Sequence, residues 1–156
     1  MEDLEIKRME EGDIGEVMAI ERASFKQPWK REFMEAELSN LSSIPLVVLK
    51  EGKVAGYVIL WDMGESLHLA NIAVKPELRR KGIGRALLKK AIAIAKKRDK
   101  KLLSLEVRRS NIAARKLYES EGFRVLRVIR GYYRPDFEDA LLYVLPLQGN
   151  VKSEKT

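Results

Sequence analysis

The sequence predicts an α/β fold with a mixed α+β sheet, and three observations lead to this prediction. Short apolar or alternating stretches, typical of strands, are interspersed with stretches of helical periodicity. Glu51-Gly52 separates two strand-like stretches, as a hairpin turn does. A basic turn with two glycines, at residues 79–84, joins an apolar stretch to a long amphipathic helix. The expected element order is β-α-α-β-β-β-α-β-α-β-β.

The first elements are a strand and two helices. Apolar and charged residues alternate over residues 4–9, which predicts the first strand. Asp13 with Glu16 resembles a capping box and predicts a helix start. Pro28 suits the first turn of a second helix that runs to about residue 40. The side chains expected to face inward on the second helix are Trp29, Phe33 and Leu38.

The remaining elements follow from the same patterns. Asn111 is a suitable N-cap for the last helix, and Gly122 a suitable residue just past its end. The expected elements are strands 44–50, 53–63 and 67–74, a helix to about 98, a strand 101–108, a helix from 111 to 121, and strands 123–130 and 140–147.

Length and composition favour one domain. The chain has 156 residues, of which 46% are hydrophobic, and it contains no cysteine. We expect a single domain over residues 1–148 and a disordered tail over 149–156. No apolar stretch approaches the roughly 20 residues of a membrane span, and the acidic start lacks the pattern of a signal peptide. The sequence thus predicts a cytoplasmic protein with no membrane partner.

The net charge of +7 is concentrated in one stretch. Residues 75–101 carry 12 basic and 2 acidic side chains. Such a stretch is compatible with nucleic acid or with a multiply phosphorylated cofactor. No aromatic residues are interleaved with these charges, which argues against a nucleic-acid partner.

The glycine-containing turn is the first candidate site. The first turn of a helix leaves about four N–H groups without intrahelical partners, and the helix dipole favours negative charge there. Gly82 and Gly84 let the backbone approach a ligand closely. This turn predicts a site for phosphate or pyrophosphate, although an ordinary basic turn remains the alternative. The spacing is neither that of a Walker loop nor that of a dinucleotide-binding motif.

Several motifs together resemble the GNAT superfamily of N-acetyltransferases. Arg79-Arg80-Lys81-Gly82-Ile83-Gly84 is similar to the Arg/Gln-x-x-Gly-x-Gly/Ala loop of that family. The block 105–123 is similar to the Leu-Glu-Val-Arg-x-Ser-Asn…Leu-Tyr-Glu…Gly-Phe signature of protein N-terminal acetyltransferases. Tyr132-Tyr133 followed by Glu138-Asp139-Ala140 is similar to a further segment of the RimI-type ribosomal-protein alanine acetyltransferases and their archaeal relatives.

This resemblance implies a reaction, a cosubstrate and a set of site residues. The reaction is direct acetyl transfer from acetyl-CoA to the N-terminal amine of a protein, such as a ribosomal protein, without a metal. The residues implied to bind acetyl-CoA are Ile72, Ala73, Val74, Arg79, Arg80, Lys81, Gly82, Ile83, Gly84, Arg85, Asn111 and Tyr118. Those implied to form the peptide slot are Phe25, Trp29, Tyr132 and Tyr133, for which a core or surface position is the alternative.

Three residues are candidates for proton transfer. Glu106 lies in an apolar strand, where a carboxylate is unexpected, and is interpreted as the general base. A salt bridge to Arg108 or Lys101 is the alternative. The family implies that Tyr118 protonates the departing thiolate, whereas a lone tyrosine is more often a half-buried helix anchor. His68 is the only histidine, and the resemblance to archaeal members of the family implies that it is an auxiliary base, whereas a lone histidine on a strand is more often a structural residue.

The chemistry of the amine favours an N terminus. With no cysteine, a cysteinyl acyl-enzyme is excluded and direct attack on acetyl-CoA is simpler. Removing a proton from lysine at neutral pH costs about 3–4 kcal/mol more than from an N-terminal amine. An enzyme of this family that acetylates a lysine side chain or a small amine remains the alternative. One histidine, no cysteine and scattered carboxylates give no metal-ligand spacing.

Overall fold

The computed structural model describes residues 4–147. Within these residues the chain forms seven strands and four α-helices in the predicted order, with two short 3₁₀ turns added. The strands are β1 (Leu4–Arg8), β2 (Ser43–Lys50), β3 (Lys53–Asp62), β4 (Ser66–Val74), β5 (Leu102–Arg108), β6 (Arg124–Ile129) and β7 (Ala140–Pro146). The helices are α1 (Ile14–Ser24), α2 (Arg31–Glu37), α3 (Ile83–Lys97) and α4 (Ile112–Ser120). The predicted tail, 149–156, lies outside the described residues.

The strands form one sheet in the order β1-β2-β3-β4-β5-β7-β6. β4 and β5 pair in parallel, whereas β1 with β2, β2 with β3, β5 with β7 and β6 with β7 are antiparallel. The predicted hairpin turn is present, because Glu51 and Gly52 both have positive φ, at 53° and 81°. This is the backbone conformation that a two-residue hairpin turn requires.

The described residues divide into two compact units. One comprises residues 4–61 and 70–91, and the other comprises 62–69 and 92–147. The first unit has a core that is rich in branched and sulphur-containing side chains: Met9, Ile14, Val17, Met18, Ile20, Met34, Val47, Val54, Tyr57, Ile59 and Ala73. In the second unit the apolar faces of β4, β5 and β7 are buried together with the aromatic rings of Tyr118, Phe123 and Tyr143.

Two details of the first helices differ from the prediction. The capping box forms one turn earlier than expected, because the Asp13 carboxylate accepts from the backbone N–H of Glu10 at 2.8 Å. Glu16 instead accepts from the backbone N–H of Val54 at 3.2 Å. Helix α2 is shorter than predicted, and Phe33 is 59% exposed rather than inward. Met34, the next residue, is the fully buried side chain of this helix.

A glycine in β3 sets the approach of the strand that leads to the glycine-containing turn. A Cβ added at Gly56 would lie 2.8 Å from the carbonyl oxygen of Ala73, closer than real Cβ contacts come. The backbone N–H of Lys75 donates to the carbonyl of Ala55 at 2.8 Å just beyond this point. Glycine at 56 therefore allows β3 and the end of β4 to lie close together before the chain turns.

A buried carboxylate joins three elements of the first unit. Glu21 in α1 is 1% exposed. It accepts hydrogen bonds from the Tyr57 hydroxyl, from the Asn71 amide at 2.9 Å, and from the backbone N–H of Trp29 at 2.9 Å. Burial raises the pKa of the Tyr57 hydroxyl, and the charge of Glu21 raises it further. A buried carboxylate is tolerated only where such hydrogen bonds replace water.

We predict that Glu21→Ala lowers the free energy of unfolding by about 2–4 kcal/mol, because it leaves two buried donors and one part-buried donor without this acceptor. Urea denaturation measures the change. Glu32→Ala, at an exposed position of α2, is the matched control and is expected to change stability by about 0.5 kcal/mol or less. Equal stability of the two variants would contradict a structural role for the buried carboxylate.

Candidate active site

The glycine-containing turn lies in the first unit, between β4 and α3. Gly82 has φ of 86° and Arg80 has φ of 65°, so two residues of this turn are in the left-handed region. The carbonyl of Gly82 accepts from the N–H of Ala86 at 3.0 Å, and α3 begins at the next residue, Ile83. Gly82 is thus the N-cap of α3, and the first N–H groups of this helix have no intrahelical acceptor.

The basic side chains of this turn differ in the contacts that the structure shows for them. Arg80, Lys81 and Arg85 are exposed. Arg79 donates to the carbonyl of Val74 at 3.0 Å and to the hydroxyl of Ser24 at 2.9 Å. Its guanidinium therefore fixes the turn to the end of β4 and to α1 while contributing positive charge. The other predicted residues, Ile72, Ala73 and Val74, form the end of β4.

His68 and Glu106 come together in the second unit. The parallel register places His68 of β4 opposite Ser104 of β5. Nε2 of His68 lies 3.0 Å from Oε1 of Glu106, and Nδ1 lies 2.7 Å from the hydroxyl oxygen of Ser104. The side chains of His68 and Glu106 are 16% and 23% exposed. Both are thus held in place by neighbours and still reach solvent.

The two cations considered as partners of Glu106 form ion pairs with other carboxylates. Arg108 pairs instead with Asp136 at 3.0 Å and Glu138 at 2.9 Å. Lys101 pairs with Glu65 at 3.5 Å. Glu106 contacts a histidine, a group that can itself take up and release a proton, which suits a carboxylate that exchanges protons.

Tyr118 is more buried than the half-buried position considered from the sequence. It is 5% exposed, and its ring centroid lies 6.0 Å from that of Phe123 and 6.1 Å from that of Tyr143. Burial raises the pKa of its phenol above the ordinary value of 10, because a phenolate is poorly solvated there. Tyr118 therefore keeps its proton at neutral pH and is a weaker acid than an exposed tyrosine.

Asn111 is the N-cap of α4, as predicted. Its side-chain oxygen accepts from the backbone N–H of Ala114 at 3.2 Å, and the residue is exposed. Gly122 follows the helix end with φ of 100°, which also agrees with the prediction.

Tyr132 and Tyr133 lie in a segment that is anchored to β5. Their rings meet edge to face with centroids 5.0 Å apart, and the Arg108 guanidinium lies 4.4 Å from the Tyr133 centroid. Glu138 accepts from Arg108 and from the backbone N–H of Ser110 at 2.8 Å. Hydrogen bonds from Ser110 and from Arg108 lower the pKa of Glu138. Burial raises the pKa of Tyr132, and the negative charge of Glu106 raises it further.

Phe25 and Trp29 belong to the first unit. Phe25 directly follows α1 and is 37% exposed. Trp29 stacks on Trp61 with ring centroids 6.4 Å apart, and its backbone is held by Glu21. Of the four residues predicted for the peptide slot, Phe25 and Trp29 therefore belong to the first unit, and Tyr132 and Tyr133 belong to the second.

Two polar residues of the structure were missed in the sequence. Ser104 precedes Glu106 by two residues, so strand alternation puts both side chains on one face of β5. Glu21 interrupts the apolar stripe of α1, which contains Ile14, Val17 and Met18. Period-two spacing and a carboxylate within a buried helix stripe are the signals that would have identified them.

Residues 4–147 lack two further kinds of feature. No group of three or more His, Cys, Asp or Glu side chains among these residues is arranged to hold a metal ion. In the same part of the chain, no helix combines the length and the hydropathy needed to cross a membrane.

Comparisons with known proteins agree on one family. The profile of the acetyltransferase (GNAT) family matches residues 14–123. An Escherichia coli K12 relative named ribosomal protein bS18-alanine N-acetyltransferase is 35% identical over 144 residues, which cover 91% of this chain and 97% of the relative. A Sulfurisphaera tokodaii relative named N-alpha-acetyltransferase is 32% identical over 148 residues, which cover 86% of this chain and 88% of the relative.

A solved structure agrees as well. The crystal structure of the Escherichia coli ribosomal-protein-S18-alanine N-acetyltransferase superposes with a TM-score of 0.85 at 34% identity, covering 92% of this chain and 93% of that chain. The predicted fold class and the predicted resemblance to RimI-type enzymes are confirmed. The chain belongs to the acetyltransferase (GNAT) family and is an acetyl-CoA-dependent N-acetyltransferase.

Proposed function

We propose that this enzyme acetylates the α-amine at the N terminus of a protein by direct transfer from acetyl-CoA. The observation that carries the proposal is the contact of Glu106 with His68, which provides a partly exposed proton acceptor backed by a second one. Two relatives named for N-terminal or alanine N-acetyl transfer support the same reaction. A ribosomal protein is the target that the name of the Escherichia coli relative suggests, and it would place the reaction in the cytoplasm.

Glu106 is the proposed base and His68 the auxiliary one. The N-terminal ammonium group must lose one proton before its nitrogen can bond to the acetyl carbonyl carbon, and the nitrogen loses a second proton as the amide forms. Glu106 takes the first of these protons, and the imidazole of His68 lies beside it with Nε2 3.0 Å away. The carbon–sulphur bond of the thioester breaks, and the thiolate requires a proton. Tyr118 is the proposed donor, and burial keeps its phenol protonated at neutral pH.

The glycine-containing turn is the proposed pyrophosphate site. Its residues fit such a group, because the N terminus of α3 follows a glycine with positive φ. Three exposed cations lie in the turn and at the start of the helix. Arg79 contributes charge and fixes the backbone. We assign the remaining predicted contacts, those of Ile72, Ala73, Val74 and Asn111, to the pantetheine part of acetyl-CoA.

The proposed peptide site consists of exposed or partly exposed aromatic rings. Tyr132 is 45% exposed, and it neighbours Tyr133, which Arg108 holds. Phe25 and Trp29 are the proposed contributions of the first unit. Aromatic side chains offer large contact areas at low entropy cost, which suits binding of variable peptides.

A pair of peptides tests the proposed function. The first peptide has a free N-terminal alanine and no lysine. The second differs from it in two ways, because its N terminus is formylated and one internal residue is replaced by lysine. We expect acetylation of the first peptide and little of the second, because the α-amine loses its proton more easily. Mass spectrometry of the products locates the acetyl group. Faster acetylation of the second peptide would show that lysine is the substrate.

We predict that Gly84→Asp abolishes measurable binding of acetyl-CoA, since it introduces a carboxylate at the second residue of α3. Isothermal calorimetry measures the affinity. Gly15→Asp is the matched control, because Gly15 is the second residue of α1 and has open space around its Cα. If a folded Gly84→Asp protein binds acetyl-CoA with wild-type affinity, the pyrophosphate does not bind at this turn.

We predict that Glu106→Gln lowers kcat/KM at pH 7 by roughly 10²–10⁴, the range typical of general acid–base groups. Affinity for acetyl-CoA should hardly change. Glu65→Gln, at an exposed carboxylate of the same unit, is the control and should keep wild-type activity. If Glu106→Gln loses less than tenfold while His68→Ala is inactive, then His68 is the main base and Glu106 the auxiliary one.

A further inference from the structure

Ser104 is a polar side chain beside the proposed base pair that no part of the proposed reaction uses. It lies directly opposite His68 in the parallel register, and its hydroxyl oxygen is 2.7 Å from Nδ1. Glu106 is two residues further along the same face of β5 and contacts the other ring nitrogen. The imidazole thus bridges a hydroxyl and a carboxylate.

The chemistry of imidazole fixes the direction of these hydrogen bonds. A neutral ring has one N–H donor and one acceptor nitrogen, whereas an ionised carboxylate only accepts. With Glu106 ionised, both contacts are hydrogen bonds only if Nε2 carries the hydrogen and Nδ1 accepts from Ser104. When the ring gains a second proton, Nδ1 becomes a donor and its partner must accept. A hydroxyl can serve both states by rotating its hydrogen.

We propose that Ser104 is a positioning residue that holds His68 with Nε2–H directed at Glu106 and supports the ring in both charge states. This role rests on the proposed base function of Glu106. Other ionisable groups act on the same face: Tyr132 and Tyr133 interact with the charge of Glu106, and Arg108 is paired with Asp136 and Glu138. At Nδ1 the Ser104 hydroxyl, 2.7 Å away, is a group that can both donate and accept.

Nitrogen NMR tests this inference without an activity measurement. The chain has a single histidine, so untagged protein labelled with ¹⁵N in its imidazole gives signals from His68 alone. In the wild type we expect, for the neutral ring, a protonated Nε2 and an unprotonated Nδ1 shifted by hydrogen bonding. Ser104→Ala should move the ¹⁵N chemical shift of Nδ1 towards the value for an unprotonated nitrogen that accepts no hydrogen bond. Ser104→Thr, which keeps the hydroxyl and suits a strand, should restore it. A neutral wild-type ring protonated at Nδ1, or an unchanged Nδ1 signal in Ser104→Ala, would overturn the inference.

Kinetics provide the second readout. Ser104→Ala should lower kcat roughly tenfold, the loss typical of one hydrogen bond to a group that becomes charged, with the KM values for acetyl-CoA and peptide unchanged. Ser104→Thr should recover most of the rate, and Ser66→Ala, on the same face of β4, is the matched control. An unchanged kcat in Ser104→Ala would overturn the role. So would an acetyl group on Ser104 in mass spectra after incubation with acetyl-CoA, since the residue would then be a nucleophile.

These outcomes are separable from those of the proposed function. If the N-terminal peptide is not acetylated, the proposed substrate is wrong, while the NMR experiment still decides the partner of Nδ1. If the peptide is acetylated and Ser104→Ala changes neither the spectrum nor kcat, only the role of Ser104 is wrong.

Discussion

The parallel pairing of β4 with β5 is the constraint on which the proton-transfer site depends. Its register sets His68 opposite Ser104 and brings Glu106 within hydrogen-bond distance of the ring. On the opposite faces of the same strands, Leu67, Leu69, Leu103 and Leu105 are buried. Burial of each such side chain contributes about 1.5–3 kcal/mol. A slip by one residue would expose these leucines and bury the polar side chains, so the apolar faces hold the polar ones in register.

Strand β5 also organises the aromatic segment that follows β6. Arg108 has two tasks, since its guanidinium lies over the Tyr133 ring and bonds the carboxylates of Asp136 and Glu138. Lowering of the Glu138 pKa means that the folded state favours the ionised carboxylate. The resulting stabilisation is present above the ordinary pKa of glutamate and is lost as pH falls through the lowered value. At neutral pH this anchor is therefore fully formed and keeps Tyr132 and Tyr133 beside the strand that carries Glu106.

Much of this architecture was predictable because it follows from local pattern. Alternation identified the strands, and the positive φ values of Glu51 and Gly52 agree with the hairpin inferred from their sequence. Side-chain contacts between distant residues were not predictable in this way. The helical pattern predicts that Phe33 faces inward, yet this side chain is exposed, because Met34 fills the core instead. The partner of Glu106 is separated from it by 38 residues, and only the pairing of β4 with β5 brings the two together.

Glu106 is proposed to remove a proton from the attacking amine. The most direct test is how the loss of activity in Glu106→Gln depends on pH. The measurement is the ratio of kcat/KM between the wild type and Glu106→Gln, with an N-terminal alanine peptide, from pH 7 to pH 9. An N-terminal amine has a pKa of about 7.7–8.0, so at higher pH it loses its proton without assistance. A base role therefore predicts a ratio that shrinks steadily across this range. A ratio that stays constant would contradict the claim, because it would show that Glu106 contributes through structure or binding instead.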